Sequence, residues 1–197
     1  GGMGVTSSSG PVIALKGEAM GLGMILELPM LIVNVQRGGP STGLATKTEQ
    51  SDLMQVTYGR NRESPLPVIA ASSRSDCFDV AQEAWRIATS FIVPVIMLSD
   101  GYIANGAEPW RIPDVADLAK IEIKHPQAKE GEEFQPYARN ERLARPWALP
   151  GTPGLEHRVG GLDTQDVTGN VSYYPDHPQH MTEVRHTQVP NSADQSP

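Results

Sequence analysis

Residues 75–102 read SDCFDVAQEAWRIATSFIVPVIMLSDGY. In the first half, Phe78, Ala81, Ala84, Trp85 and Ala88 recur at three- and four-residue spacing. That spacing lays one apolar face along a helix over 75–91, capped by Ser75 or Asp76, with Trp85 in the core. The second half changes period. Pro94–Leu98 is a short continuous apolar run, the signature of a strand buried on both faces. Cys77 opens the helix between Asp76 and Asp79. The two carboxylates oppose the pull of the helix dipole on the thiol, so Cys77 reads as a packed side chain rather than a nucleophile.

The same alternation continues upstream. Val5–Ser8, Met30–Val35 and Leu66–Ala71 read as further short strands. Between them, Ile13–Glu27 has helical spacing ended by Pro29, and Thr48–Gly59 reads as a helix with Thr48 at its start and Gly59 at its stop. Short apolar strands separated by helices predict an α/β fold: a parallel sheet with helices on both faces. The compact part spans residues 1–125. Residues 126–197 hold 9 of the 17 prolines and four of the five histidines. They predict an irregular extension over 126–185 and a disordered tail over 186–197.

The chain has 197 residues, a formal net charge of −7 and one cysteine. The acidic balance argues against nucleic acid or an anionic membrane as partner. One cysteine excludes an internal disulfide, a Cys-ligated zinc site and an iron–sulfur cluster held by this chain alone, and it suits a cytoplasmic location. The opening GGMGVTSSSG lacks a basic and then apolar leader, and the apolar stretch from Met20 to Val35 is broken by Glu27, Pro29 and Asn34.

Ligands of open parallel sheets bind outside the carboxyl ends of the strands. Three polar segments follow predicted strands: Thr6–Pro11, Gln36–Gly43 and Ser99–Tyr102. Arg37 is the fixed cation among them. Its planar fork suits a carboxylate or phosphate, and a structural ion pair is the competing reading. The GGPSTG loop (Gly38–Gly43) matches neither GxxxxGK[ST] nor GxGxxG, which weighs against a Walker-type nucleotide site. Asp100 reads as a helix cap, a turn residue or a ligand. His177, His180 and His186 lie in a Pro-rich segment with no carboxylate or cysteine pattern to complete a metal site.

At VQRGGPSTGLATKTEQSDL (Val35–Leu53) the sequence resembles the alpha subunit of 2-oxoacid:ferredoxin oxidoreductases, most closely the 2-oxoglutarate type. The resemblance continues through Tyr58–Ala88, Pro94–Asp114 and Arg145–Met181, nearly the whole chain. It implies part of a pyrimidine-type thiamine-diphosphate domain, consistent with the parallel sheet read from the residues. It also implies the family reaction: oxidative decarboxylation of a 2-oxoacid with coenzyme A to acyl-CoA and carbon dioxide, with reduction of ferredoxin. Thiamine diphosphate with magnesium and [4Fe-4S] clusters would be held mainly by a beta subunit.

Arg37 matches the family arginine that holds the substrate carboxylate. Thr46 matches a position near the substrate. Ser8, Ser9, Gly10 and Pro11 match a loop beside the cofactor. Val12 stands where the family usually has Gly, and Ala45 where Pro is usual. The family's YPITP-type motif and the glutamate that activates the aminopyrimidine belong upstream of the matched region, so the sequence reads as a fragment of a longer subunit, inactive alone. The alternative reading is a truncated, non-catalytic remnant that only docks to a partner subunit.

Overall fold

The computed structural model describes residues 2–61 and 63–194. Four strands form one parallel sheet: β1 (Gly4–Ser8), β2 (Met30–Gln36), β3 (Val68–Ala70) and β4 (Pro94–Asp100), in the order β1-β2-β4-β3. The register aligns Ser8 with Asn34, and Gln36 with Asp100, so all strands end at one edge. Every residue of β4 is buried, as the continuous apolar run from Pro94 requires of a central strand.

Helices cover both faces. α1 (Gly10–Leu15), α2 (Gly17–Ile25) and α3 (Leu53–Tyr58) lie on the face that carries Met30, Asn34 and Pro94: Gly23 of α2 abuts Met30 and Pro94, and Asp52, just before α3, bonds Asn34. α4 (Asp76–Phe91) lies on the opposite face, where Cys77 meets Ser99. Right-handed crossovers demand this arrangement. The chain steps one way from β1 to β2 and the other way from β3 to β4, so the two connections fall on opposite faces. The core between these layers is built from Ile13, Met24, Ile32, Ile87, Phe91 and Ile96, together with smaller apolar side chains.

Several boundaries differ from the sequence expectations. The helix expected over Ile13–Glu27 is two helices broken at Lys16, whose Nζ donates to Thr6 Oγ1 at 2.9 Å. The helix expected from Thr48 starts at Leu53, because residues before it are drawn to the sheet by side-chain bonds. Ser75 holds the cap position of α4 but makes no capping bond; Ser73 Oγ accepts from Asp76 N at 3.2 Å instead. Trp85 is half-buried and outside the main core cluster. Cys77 packs against that cluster, and burial, with Asp76 nearby, pushes its thiol up.

The largest correction is at the C-terminal end. The irregular extension expected to residue 185 and the disordered tail expected from 186 are replaced from residue 176 by a 19-residue helix, α6 (Asp176–Asp194). Residues 195–197 lie outside the described residues. Pro178 falls in the first turn of α6, where a missing N–H costs nothing. Met181, Val184, Arg185, Gln188 and Ser192 form its buried stripe at helical spacing.

A short 3-10 turn (Val115–Asp117) follows a fifth helix, α5 (Gly101–Asn105), and residues 118–175 then form neither helix nor strand. They dock through a small apolar cluster, Ala144 and Trp147 against Ile92, and through buried charge. Arg139 grips Glu27 with two nitrogens, Nη2–Oε1 at 2.6 Å and Nη1–Oε2 at 2.8 Å, and reaches Asp166 and the Leu143 carbonyl as well. Glu27 is fully buried, and the Arg139 side chain is 7% exposed. Arg145 Nε adds bonds to the carbonyls of Leu26 and Glu27.

Arg139→Leu strands the Glu27 carboxylate in the interior, and unfolding by urea should show a loss of about 3–5 kcal/mol. Replacing both partners, Glu27→Leu with Arg139→Leu, should cost clearly less than the single change, because no unpaired charge is then left buried.

Candidate functional site at the carboxyl edge

The edge where the four strands end carries the three polar segments read from the sequence. β1 gives way to Ser9, whose extended backbone starts α1 and whose carbonyl accepts from Val12 N and Ile13 N. Pro11 occupies the first turn of α1, and Val12 is helical. Arg37 follows β2. Its Nε donates to Ser9 Oγ at 3.0 Å and its Nη1 to the Thr42 carbonyl at 3.0 Å. Arg37 makes no ion pair among the described residues, so the competing reading of Arg37 as a structural ion pair has no counterpart there.

The loop after Arg37 turns back on itself. Gly38 N donates to the Lys47 carbonyl at 2.7 Å, and Leu44 N to the Gly38 carbonyl at 3.0 Å. Gly39 sits at φ +86, and a side chain there would drive its Cβ to 2.9 Å from Leu44 N. Glycine is thus required twice over, by backbone conformation and by space. Glu49 Oε2 accepts from Gly39 N at 3.1 Å and ties the turn to its return strand of loop. Ser9 and Arg37 are therefore brought together. Thr46 is exposed in the same loop and makes no hydrogen bond to either among the described residues.

Beneath the loop lies a buried polar network that sequence reasoning missed. Asn34 and Gln36 interrupt the apolar pattern of β2, and both are buried. Asn34 Nδ2 donates to Asp52 Oδ2 at 3.0 Å, Asp52 N donates to Gln36 Oε1 at 3.0 Å, and Gln36 Nε2 donates to the Ser99 carbonyl at 3.2 Å. Gln50 Nε2 reaches Asp100 Oδ2 at 2.6 Å. The usable signal was the pair of amides at alternate positions near the end of an otherwise apolar strand.

Asp100 resolves as a helix cap: its Oδ1 accepts from Tyr102 N at 2.6 Å and Ile103 N at 2.9 Å at the start of α5. Arg74 stacks on the Tyr102 ring and pairs with Glu108 at 3.9 Å beside it. The histidines of the C-terminal part do not converge: His177 Nδ1 contacts Ser172 Oγ, while His180 Nε2 contacts Asp166. Among the described residues no group of three His, Cys, Asp or Glu side chains could hold a metal ion, and no helix is long and apolar enough to cross a membrane.

A family model described as pyruvate flavodoxin/ferredoxin oxidoreductase, thiamine diphosphate-binding, matches residues 1–174. The chain belongs to this family. Among the relatives of this oxidoreductase-family chain, the 2-oxoglutarate oxidoreductase subunit KorA of Mycobacterium tuberculosis is 60% identical over 190 residues, covering 96% of this chain and 29% of that protein. The 2-oxoglutarate synthase subunit KorA of Archaeoglobus fulgidus is 34% identical over 167 residues, covering 85% of this chain and 44% of that protein. A solved structure of 2-oxoglutarate:ferredoxin oxidoreductase from Magnetococcus marinus, with 2-oxoglutarate, coenzyme A and succinyl-CoA bound, superposes with a TM-score of 0.86 at 34% identity, over 98% of this chain and 33% of that one. The chain thus spans less than half the length of these relatives. Its thiamine-diphosphate-binding fold agrees with the parallel sheet and paired helix layers expected from the sequence.

Burial pushes the Asp100 carboxyl up, but the hydrogen bonds from Gln50, Ile103 and Tyr102 and the Arg74 charge outweigh it and hold the group below its ordinary value of 3.8. A lowered value means that the carboxylate stabilises the fold fully above pH 3.8 and ceases to do so as pH falls through the lowered value. Asp100→Ala should cost about 0.5–2 kcal/mol at neutral pH. In a pH series of urea melts, the gap between wild type and variant should hold steady through neutrality and close in acid below that value.

Proposed function

We propose that this chain works within the alpha subunit of a 2-oxoacid:ferredoxin oxidoreductase and holds 2-oxoglutarate by a carboxylate on Arg37. The observation that carries the reading is the state of that guanidinium. It is fixed at Nε by Ser9 and at Nη1 by Thr42, carries no counter-charge among the described residues, and stands at the edge where parallel sheets take their ligands. The free side of the fork suits the bidentate grip that a carboxylate accepts. Ser8, Ser9, Gly10 and Pro11 line the same edge beside the cofactor, and Thr46 meets the substrate from the loop.

The reaction is oxidative decarboxylation of 2-oxoglutarate with coenzyme A to succinyl-CoA and carbon dioxide, with electrons passed singly to ferredoxin. Bound thiamine diphosphate supplies the carbanion-stabilising chemistry. This chain's share is geometric: Arg37 orients the substrate so that the bond to the departing carboxylate faces the reacting centre. The names of the M. tuberculosis and A. fulgidus relatives and the ligands of the M. marinus structure support 2-oxoglutarate as the substrate.

The donor set tests the cofactor. Hydroxyls, backbone N–H groups and one guanidinium fit the substrate end. In keeping with the family resemblance, we assign magnesium, the diphosphate site and the [4Fe-4S] ligands to a beta subunit. Exposed Leu53, Met54, Tyr102, Ile112 and Val115 on and around the carboxyl edge suit burial against such a partner. The unpaired Cys77 suits a cytoplasmic enzyme.

Arg37→Lys keeps the charge and loses the fork. In the assembled oxidoreductase, kcat/KM for 2-oxoglutarate should fall by about one to three orders of magnitude, roughly 1.4–4 kcal/mol, with thiamine diphosphate affinity unchanged. Normal kinetics accompanied by a lower melting temperature would reduce Arg37 to a structural residue. A substrate panel favouring pyruvate would overturn the choice of 2-oxoacid while leaving the role of Arg37 intact.

A further inference from the structure

Asp52 occupies the position before α3 where an aspartate ordinarily caps the helix, yet its side chain makes no capping bond. It turns to the sheet instead. Its Oδ2 accepts from Nδ2 of Asn34, a residue with no exposed surface, at 3.0 Å, and its own N–H donates to Gln36 Oε1 at 3.0 Å. The same carboxylate also lies against Gly10. A Cβ at Gly10 would sit 3.2 Å from Oδ2 and 3.4 Å from Oδ1. Asp52 therefore wedges between β2 and the first residue of α1, and Ser9, the neighbour of Gly10, is the residue whose Oγ holds Arg37 Nε.

We infer that Asp52 is a positioning residue for the substrate arginine: pinned to Asn34, its carboxylate sets where Gly10 and Ser9 sit, and Ser9 in turn aims the guanidinium of Arg37. The inference rests on Arg37 being the carboxylate-binding residue. The preference for glycine at position 10 follows from the same contact, because a Cβ there would press on the carboxylate and make it give by a few tenths of an ångström. A helix cap given up for a bond inside the sheet is a local cost, and the ordered Ser9–Arg37 pair is what the cost secures.

The test is steady-state kinetics in the assembled oxidoreductase. Asp52→Ala should raise KM for 2-oxoglutarate by about ten- to a hundredfold, the scale of a misplacement near 1 Å at a binding group. KM for coenzyme A should stay within about twofold, because nothing in the wedge touches that substrate in this reading. Asp52→Asn keeps an acceptor for Asn34 Nδ2 at the same place and should restore most of the loss. Gly10→Ala presses on the same contact and should raise the same KM in the same direction by a smaller factor, with KM for coenzyme A again unmoved, which keeps the test decisive where Asp52→Ala does not assemble. A lower melting temperature with both KM values unchanged, or equal rises in both, overturns the inference. Arg37→Lys run alongside separates the two claims: if it raises KM for 2-oxoglutarate while Asp52→Ala and Gly10→Ala do not, the positioning role fails and the arginine reading stands; if it has no effect, both fall.

Discussion

A parallel sheet presents several loops at one edge only when a central strand fixes the register of its neighbours, and in this chain that strand is β4. It pairs with β2 along its full length and with β3 on its other side, and it is buried throughout. Burial on both faces leaves no freedom to slip, since a one-residue shift would exchange the two faces of every side chain. Gln36 is thereby held opposite Asp100, and β1, through β2, delivers Ser9 to the side of Arg37. The ligand edge is a consequence of that register before it is a property of any loop.

What sits on the edge follows a division of labour between two kinds of contact. The apolar layers bind helices to sheet without specifying angles closely. The polar layer under the loop, from Asn34 through Asp52 and Gln36 to Ser99, does specify them, because each bond has a direction and each buried group left unpaired is costly. A loop that carries a substrate cation needs the second kind of support, and here the loop receives it from strand side chains rather than from its own residues.

The strands were legible in the sequence because apolar runs bounded by Gly, Pro and polar residues leave few alternatives. Met30 and Pro94 were placed as strand starts and are the first residues of β2 and β4. β2 and β4 run past their apolar runs, by one residue at Gln36 and two at Ser99 and Asp100, since hydropathy stops where the polar network begins, whereas the strand expected over Leu66–Ala71 shortens to Val68–Ala70. Helix starts failed for a related reason. Thr48 looks like a cap, but tertiary bonds to Gln36 and Asp100 hold the following residues out of the helix until Leu53. α6 is hidden in the sequence because its buried stripe includes Arg185, Gln188 and Ser192, polar residues that hydropathy assigns to solvent. Arg37 and Ser9 were both singled out in the sequence, but their contact was not, and Asp52 carried no sign of the role its position gives it.

The grip of Arg139 on Glu27 joins residues 112 positions apart, and it belongs to a segment with almost no ladder bonds of its own. Such a segment has little local reason to stay folded, so its order is borrowed from the sheet domain. Backbone amides in the irregular 118–175 region that lie beneath this grip should then exchange with solvent at the rate at which the sheet itself opens, not at the fast rate usual for coil. The closure of so long a loop also puts this contact late in folding, after the strands have paired. By secondary structure the molecule has a regular half and an irregular half. The buried Glu27–Arg139 pair couples the two, because parting them would leave each charge without its partner.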